Sequence, residues 1–118
     1  MSEATEQRPK ECPEVVTGIA ASPGRGTGRV RRVLEMTDLH EIGSGDVVVA
    51  RFTTPFFTPF VLEVAAIVTD VGGITSHAAS IAREMGVPAV VGTRIGTKCL
   101  FDGQIVTVDG TRGVVYYV

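Results

Sequence analysis

Apolar residues recur along this chain in two rhythms, one of strands and one of a helix. The run "DVVVARF", Asp46 to Phe52, is crowded with β-branched residues and reads as a buried strand. "AIVT", Ala66 to Thr69, reads as a second strand, ended by Asp70 and the glycines that follow. Val30 to Leu34 and "PAVVG", Pro88 to Gly92, read as further short strands. Ile105 to Val108 and Val114 to Val118 frame the turn "DGTRG" and predict a hairpin. The rhythm changes after His77. Ala78, Ile81, Ala82 and Met85 fall at i, i+3, i+4 and i+7, one face of a helix. Thr75 or Ser76 suits its N-cap, Gly86 the position just past its end, and Pro88 forbids continuation. Thr58 to Ala65 predicts a second, short helix, and Val15 to Ala21 is a short apolar segment. "SPGRGTG", Ser22 to Gly28, superficially resembles a dinucleotide loop, but a strand follows it where a helix should, so it reads as a glycine-rich turn. Strands with two interposed helices and a terminal hairpin make an α/β domain of residues 15–118, behind a polar tail of residues 1–14 that predicts disorder.

Composition narrows the function classes. A chain of 118 residues suits one modest core. The net charge is −2 and no basic run exceeds Arg31-Arg32, which is not the footprint of a nucleic-acid binder. The longest fairly apolar stretch, Phe56 to Val68, is too short to span a membrane and contains Glu63. The N-terminus lacks the pattern of a signal peptide. Cys12 and Cys99 stand far apart with neither CxxC nor zinc spacing; Cys99 reads as buried packing, Cys12 as part of the tail, and two lone cysteines fit a reducing, cytoplasmic compartment. No metal site is expected.

Candidate chemistry gathers in "GGITSHAASIAR", Gly72 to Arg83. His77 lies in the first turn of the predicted helix, about 90° from the centre of its buried face. Backbone N–H groups there lack intrahelical partners and the helix dipole is positive, so the position suits an anion such as phosphate. Gly72 and Gly73 let the preceding backbone approach a ligand. A single histidine at a helix start is also a common surface or capping residue, and local physics does not choose between these roles. His40, beside Glu41, reads as a solvent-facing loop residue.

The same stretch resembles the phosphohistidine signature of the phosphoenolpyruvate-utilising enzymes, which include phosphoenolpyruvate synthase, pyruvate phosphate dikinase, enzyme I of the sugar phosphotransferase system and rifampicin phosphotransferase. "GDVVVARFTTPFFTPFVLEVAAIVTDVGG", "GVPAVVGT" and "DGQIVTVDGTRGVVYYV" resemble the mobile domain of those enzymes as well, so the likeness runs from about Thr17 to Val118. It implies a three-layer β/β/α swivelling domain and a phosphoryl carrier, with His77 as the phosphorylated residue and Gly72, Gly73, Thr75 and Ser76 around the phosphate. Arg83 completes the motif but sits on the wheel away from His77, where a salt bridge competes with a phosphate contact. Ser80 replaces an aliphatic residue of the family on the face opposite the core, and Phe56-Phe57 stands where synthase-like relatives often carry Asp-Trp. Thr75 matches a regulatory threonine of plant-type dikinases, although capping or phosphate binding is its simpler role.

The resemblance also implies partners. The chain has no GxxxxGK[ST] loop and no room for nucleotide- or phosphoenolpyruvate-binding domains, so those subunits or domains, with Mg²⁺ and ATP or phosphoenolpyruvate, are expected elsewhere. No cofactor is expected on this chain. It reads as a stand-alone subunit, an excised domain or a remnant, and the competing class is a regulatory or protein-interaction module that kept the fold. One topological expectation follows from the residues. A short crossover between the strands at 46–52 and 66–69 makes them parallel neighbours, so Thr53 and Thr54 should share the carboxyl edge with His77. Phe56 and Phe57 then serve either as an apolar docking rim or as core.

Overall fold

The computed structural model describes residues 8–118. Residues 1–7 of the expected tail lie outside the described residues.

Eight strands run in the order β1-β8-β7-β3-β4-β5-β6-β2: β1 Val15–Thr17, β2 Ile19–Ser22, β3 Arg25–Val33, β4 Val47–Ala50, β5 Ala66–Thr69, β6 Ala89–Val91, β7 Ile105–Asp109 and β8 Val114–Tyr117. β1 and β2 stand at opposite ends of this order although only Gly18 separates them, so the sheet folds back until its two ends meet. β3 is the shared spine. Its first half, Arg25 to Arg29, pairs antiparallel with β7, and its second half, Val30 to Val33, pairs parallel with β4. The result is two facing sheets, one antiparallel and one mostly parallel.

Side-chain alternation then builds the layers. Val47 and Val49 of β4 point between the sheets, toward Val106, Val108 and Val115, while Val48 and Ala50 point the other way. That outer face is covered by helix α1, His77–Met85, through Ala78, Ala79, Ile81 and Ala82. Each buried valine or isoleucine contributes about 1.5–3 kcal/mol, and β4 buries all four of its residues. The architecture is the three-layer β/β/α arrangement. The helix follows its sequence pattern: Ser80 is exposed, Met85 is half-buried, and the chain turns at Gly86.

Several local expectations are corrected. The glycine-rich stretch is not all turn, because β3 begins at Arg25 and carries Gly26 and Gly28 inside it. A Cβ on either residue would stand 2.1 Å from a carbonyl oxygen, that of Ala65 or that of Gly45. Those glycines admit a crossing backbone, a need set by residues far away in sequence. The predicted helix at 58–65 is instead a 3₁₀ turn at Pro55–Phe60; Pro59 has no N–H to extend it. His40 lies in another 3₁₀ turn, Met36–Glu41, exposed but edge-on to the Phe60 ring. A four-residue helix, α2 Gly96–Cys99, was not foreseen.

The largest correction concerns the cysteines. Cys12 and Cys99 form a disulfide, with Cα atoms 5.7 Å apart and a separation of 87 positions in sequence. Cys12 is buried in the inter-sheet core, so the end of the predicted tail is clasped onto the domain. The argument from lone cysteines to a reducing compartment therefore falls. Among the described residues no helix is long and apolar enough to cross a membrane.

Candidate functional site

β3, β4, β5 and β6 are successively parallel, so the loops that follow them emerge at one edge. Pairing continues past the strand ends: Asp70 N–H donates to Ala50 O at 3.0 Å and Val71 N–H to Arg51 O at 2.9 Å. The loops after β4 and β5 are thereby locked side by side. The first carries Thr53 and Thr54; the second runs through Gly72 and Gly73 into α1.

Ser76 is the N-cap of α1, its Oγ accepting from Ala79 N–H at 3.3 Å, while Thr75 is exposed and does not cap. Gly72 takes φ +121°, a left-handed backbone that brings its Cα side close to Ser76. Over Gly73 the space is open, since a Cβ there would meet nothing within 4 Å. His77 is the first residue of the helix and half-buried. Its Nδ1 lies 2.8 Å from the hydroxyl oxygen of Thr53, itself 7% exposed. Among the described residues nothing engages Nε2. One ring nitrogen is held and the other has no partner among the described residues, on a residue in the helix's first turn, where backbone N–H groups lack intrahelical partners.

The other expected residues fall differently. Thr54 shares the edge, but its hydroxyl is enclosed without a hydrogen-bond partner, and its carbonyl starts the 3₁₀ turn by accepting from Phe57 N–H. Arg83 makes no ion pair among the described residues; its guanidinium donates to Ala21 O at 3.1 Å and ties α1 to β2. Phe56 and Phe57 divide the two roles open to them: Phe57 is core at 5% exposure and Phe56 projects at 69%.

Sequence reasoning missed the brace behind the site. The Asp70 carboxylate accepts from Thr97 N–H at 2.8 Å and from its hydroxyl at 2.5 Å, capping α2, while Asp70 O accepts from Arg94 N–H at 2.8 Å. Thr93 adds a hydroxyl bond to Thr69 O. These contacts fix the start of the loop that carries His77. Their only sequence signal was an aspartate directly after a strand, with its partner 27 residues away.

With this geometry in hand, the likeness to known proteins is specific. Residues 42–113 match the family described as PEP-utilising enzyme, mobile domain. The chain is 47% identical over 117 residues to the phosphoenolpyruvate synthase of Pyrococcus furiosus, and 48% identical over 102 residues to a probable phosphoenolpyruvate synthase of Archaeoglobus fulgidus. Those matches cover 97% and 86% of this chain but 14% of each relative, so the chain spans about one-seventh of their length. Among solved structures, Enzyme I (nEIt) superposes with a TM-score of 0.59 at 42% identity, over 67% of this chain and 33% of the other. Aconitase X of Thermococcus kodakaraensis superposes with a TM-score of 0.67 over 90% of this chain and 99% of the other, but at 18% identity it shares the fold alone. The histidine loop, the three layers and these matches agree, and the chain belongs to the family of PEP-utilising enzyme mobile domains.

Proposed function

We propose that this chain is a phosphoryl carrier in which Nε2 of His77 takes a phosphoryl group from a donor held by a partner and passes it to a second site. The carrying observation is the 2.8 Å contact between Thr53 Oγ1 and His77 Nδ1. For Nε2 to present a lone pair, the single ring proton of neutral imidazole must sit on Nδ1, where it is donated to the Thr53 oxygen. In the forward step the N–P bond forms at Nε2 as the donor's P–O bond breaks, and that electron pair leaves on the donor oxygen. Both ring nitrogens are then substituted and the ring carries positive charge, which the Thr53 oxygen stabilises through Nδ1–H. In the return step an acceptor oxygen attacks phosphorus and the N–P pair goes back to Nε2.

The phosphoryl oxygens meet the start of α1. The free N–H groups of the first turn, the Thr75 hydroxyl and the Ser76 O–H are donors there; Ser76 uses only a lone pair for its capping bond. Gly72 and Gly73 keep that approach clear. In this reading Mg²⁺ and the ATP or phosphoenolpyruvate it serves are held by nucleotide- and phosphoenolpyruvate-binding partners, and about six-sevenths of the relatives' length lies outside the matched region, which leaves room for them. The competing reading, a non-catalytic interaction module, uses the Thr53–His77 contact only to satisfy a buried hydroxyl and gives the open Nε2 no role.

The test is labelling. Incubated with ³²P-phosphoenolpyruvate and the Pyrococcus furiosus synthase, the chain should acquire an acid-labile, alkali-stable label that His77→Ala abolishes. Label retained by His77→Ala rules the assignment out.

A further inference from the structure

Cys12 and Cys99 take no part in the chemistry at His77, yet their bond joins two pieces of very different attachment. One is the segment 8–14. Its hydrogen bonds are internal: Cys12 N–H donates to Pro9 O at 3.0 Å, and the Arg8 guanidinium donates to Cys12 O at 2.6 Å. Among the described residues no hydrogen bond or ion pair joins this segment to the rest of the domain, and Arg8 acts on Tyr117 only as a nearby charge. Lys10, Glu11, Pro13 and Glu14 are exposed, while Cys12 is buried in the inter-sheet core. The other piece is α2, which is held without the bond. Asp70 caps its start through Thr97. At its end Thr97 O accepts from the Arg32 guanidinium at 2.9 Å and Cys99 O from the Tyr117 hydroxyl at 2.7 Å. The disulfide thus fastens a loosely attached segment to a firmly attached one.

From this asymmetry we infer that Cys12–Cys99 is a redox-responsive site, a latch that dithiol reductants open to release residues 8–14 while the domain stays folded. In the opening step a thiolate of the reductant attacks one sulfur, and the S–S electron pair leaves on the other cysteine. The reductant's second thiolate then displaces the first cysteine from the mixed disulfide. Two electrons and two protons pass to the cysteines, which become thiols, and the dithiol becomes a cyclic disulfide. Both sulfurs are covered, Cys12 at 5% and Cys99 at 4% exposure, so attack follows local opening of the segment, which no hydrogen bond to the body opposes. Once the bond is cut, the buried Cys12 side chain is the segment's main hold. Burial of one small side chain does not balance the entropy of ordering residues 8–14. α2 keeps its hydrogen bonds, and so does the Asp70 brace behind His77. What changes is reach. With the latch closed the chain is fixed at Cys12; with it open the first fixed residue is Val15 in β1. Fully extended, the released segment lets position 8 move up to about 25 Å from β1. For a carrier that visits two sites such reach matters, and this use of the latch, though not the latch itself, rests on the carrier reading.

The experiment treats the full chain with dithiothreitol and then with iodoacetamide, and locates the alkylated cysteines by peptide mass spectrometry. The air-oxidised chain should take up no alkyl label. After reduction Cys12 should react at least roughly tenfold faster than Cys99, which stays packed against the body. Amide exchange in β4 should remain slow in both forms, as it does in an intact domain. Replacing dithiothreitol with glutathione disulfide should reclose the bond and protect Cys12 again. Slow alkylation of both cysteines in the reduced chain would mean that the segment stays docked. Fast alkylation of both, with rapid exchange in β4, would mean that the domain melts. Either result overturns the inference, as do free thiols in the air-oxidised chain or a bond that does not re-form. Phosphoramidate separates this from the carrier reading, because it should label His77 equally in the oxidised and reduced chains. Failure in both forms removes the carrier reading and leaves the latch standing, whereas loss on reduction alone overturns a latch that acts only on the segment.

Discussion

Asp109 and His77 are both polar side chains on the frame of the same two sheets, and they are treated in opposite ways. Asp109 ends β7 at 2% exposure, with one oxygen accepting from Thr111 and Arg112 N–H groups and the other from Arg25. At the other end of the β7–β8 pairing, the Tyr117 hydroxyl donates to Cys99 O and the disulfide clasps Cys12. At His77 one nitrogen is held by Thr53 and the other is left without a partner among the described residues. The carboxylate that ends β7 in the antiparallel sheet has both oxygens engaged, whereas the carboxyl edge of the parallel sheet leaves a ring nitrogen without a partner among the described residues and carries exposed apolar side chains.

The comparison is broken most strongly at the clasp. Cys12→Ser should lower stability by about 4–5 kcal/mol, the chain-entropy value for a loop of this length. Denaturant melts with and without reductant check it: reduction should bring the unaltered chain down to the variant. His77 labelling by phosphoramidate should survive in native conditions, because the Asp70–Thr97 and Thr93–Thr69 contacts that fix the start of the histidine loop do not need the disulfide to form. Ile67→Ala tests the layer between the two regions. Ile67 is wholly buried under α1, and its truncation should cost about 2–5 kcal/mol in urea unfolding.

Thr53→Val sharpens the comparison at the reactive edge. Loss of the Nδ1 partner should slow labelling of His77 by roughly 10–100-fold, as expected for a charge-assisted hydrogen bond worth about 1.5–3 kcal/mol. Thr53→Ser should restore it, while melting of the valine variant changes little. The smallest effect belongs to Asp109. Burial pushes its pKa up, but the Arg112 N–H, the Arg25 guanidinium and the Thr111 N–H outweigh burial and hold it below the usual 3.8. A depressed carboxylate contributes stability above its unfolded-state value and loses it as pH falls through the folded one. Asp109→Asn should therefore be less stable than the unaltered chain at neutral pH, with the gap closing as pH drops below 3.8.

What the sequence disclosed follows the range of the forces involved. Strand β4 and helix α1 were legible because their patterns are local: four β-branched or small residues in a row, and a 3.6-residue face with cap and stop signals. Thr53 was legible one step further, through crossover topology. Gly26 and Gly28 were misread because their reason is a carbonyl oxygen of another segment. The Cys12–Cys99 pairing and the Asp70 cap on α2 join residues 87 and 27 positions apart, with no local trace. The resemblance to the mobile domains supplied what local physics left open, the choice of phosphoryl chemistry for His77.

The central claim is that Nε2 of His77 carries the phosphoryl group while Nδ1–H is held by Thr53. It is tested most directly by ¹⁵N NMR of the imidazole after reaction of the full chain with phosphoramidate. The account predicts ³¹P coupling at Nε2 of His77, with a proton retained on Nδ1. Phosphorus on Nδ1, or an adduct at His40 with His77 unmodified, would contradict it.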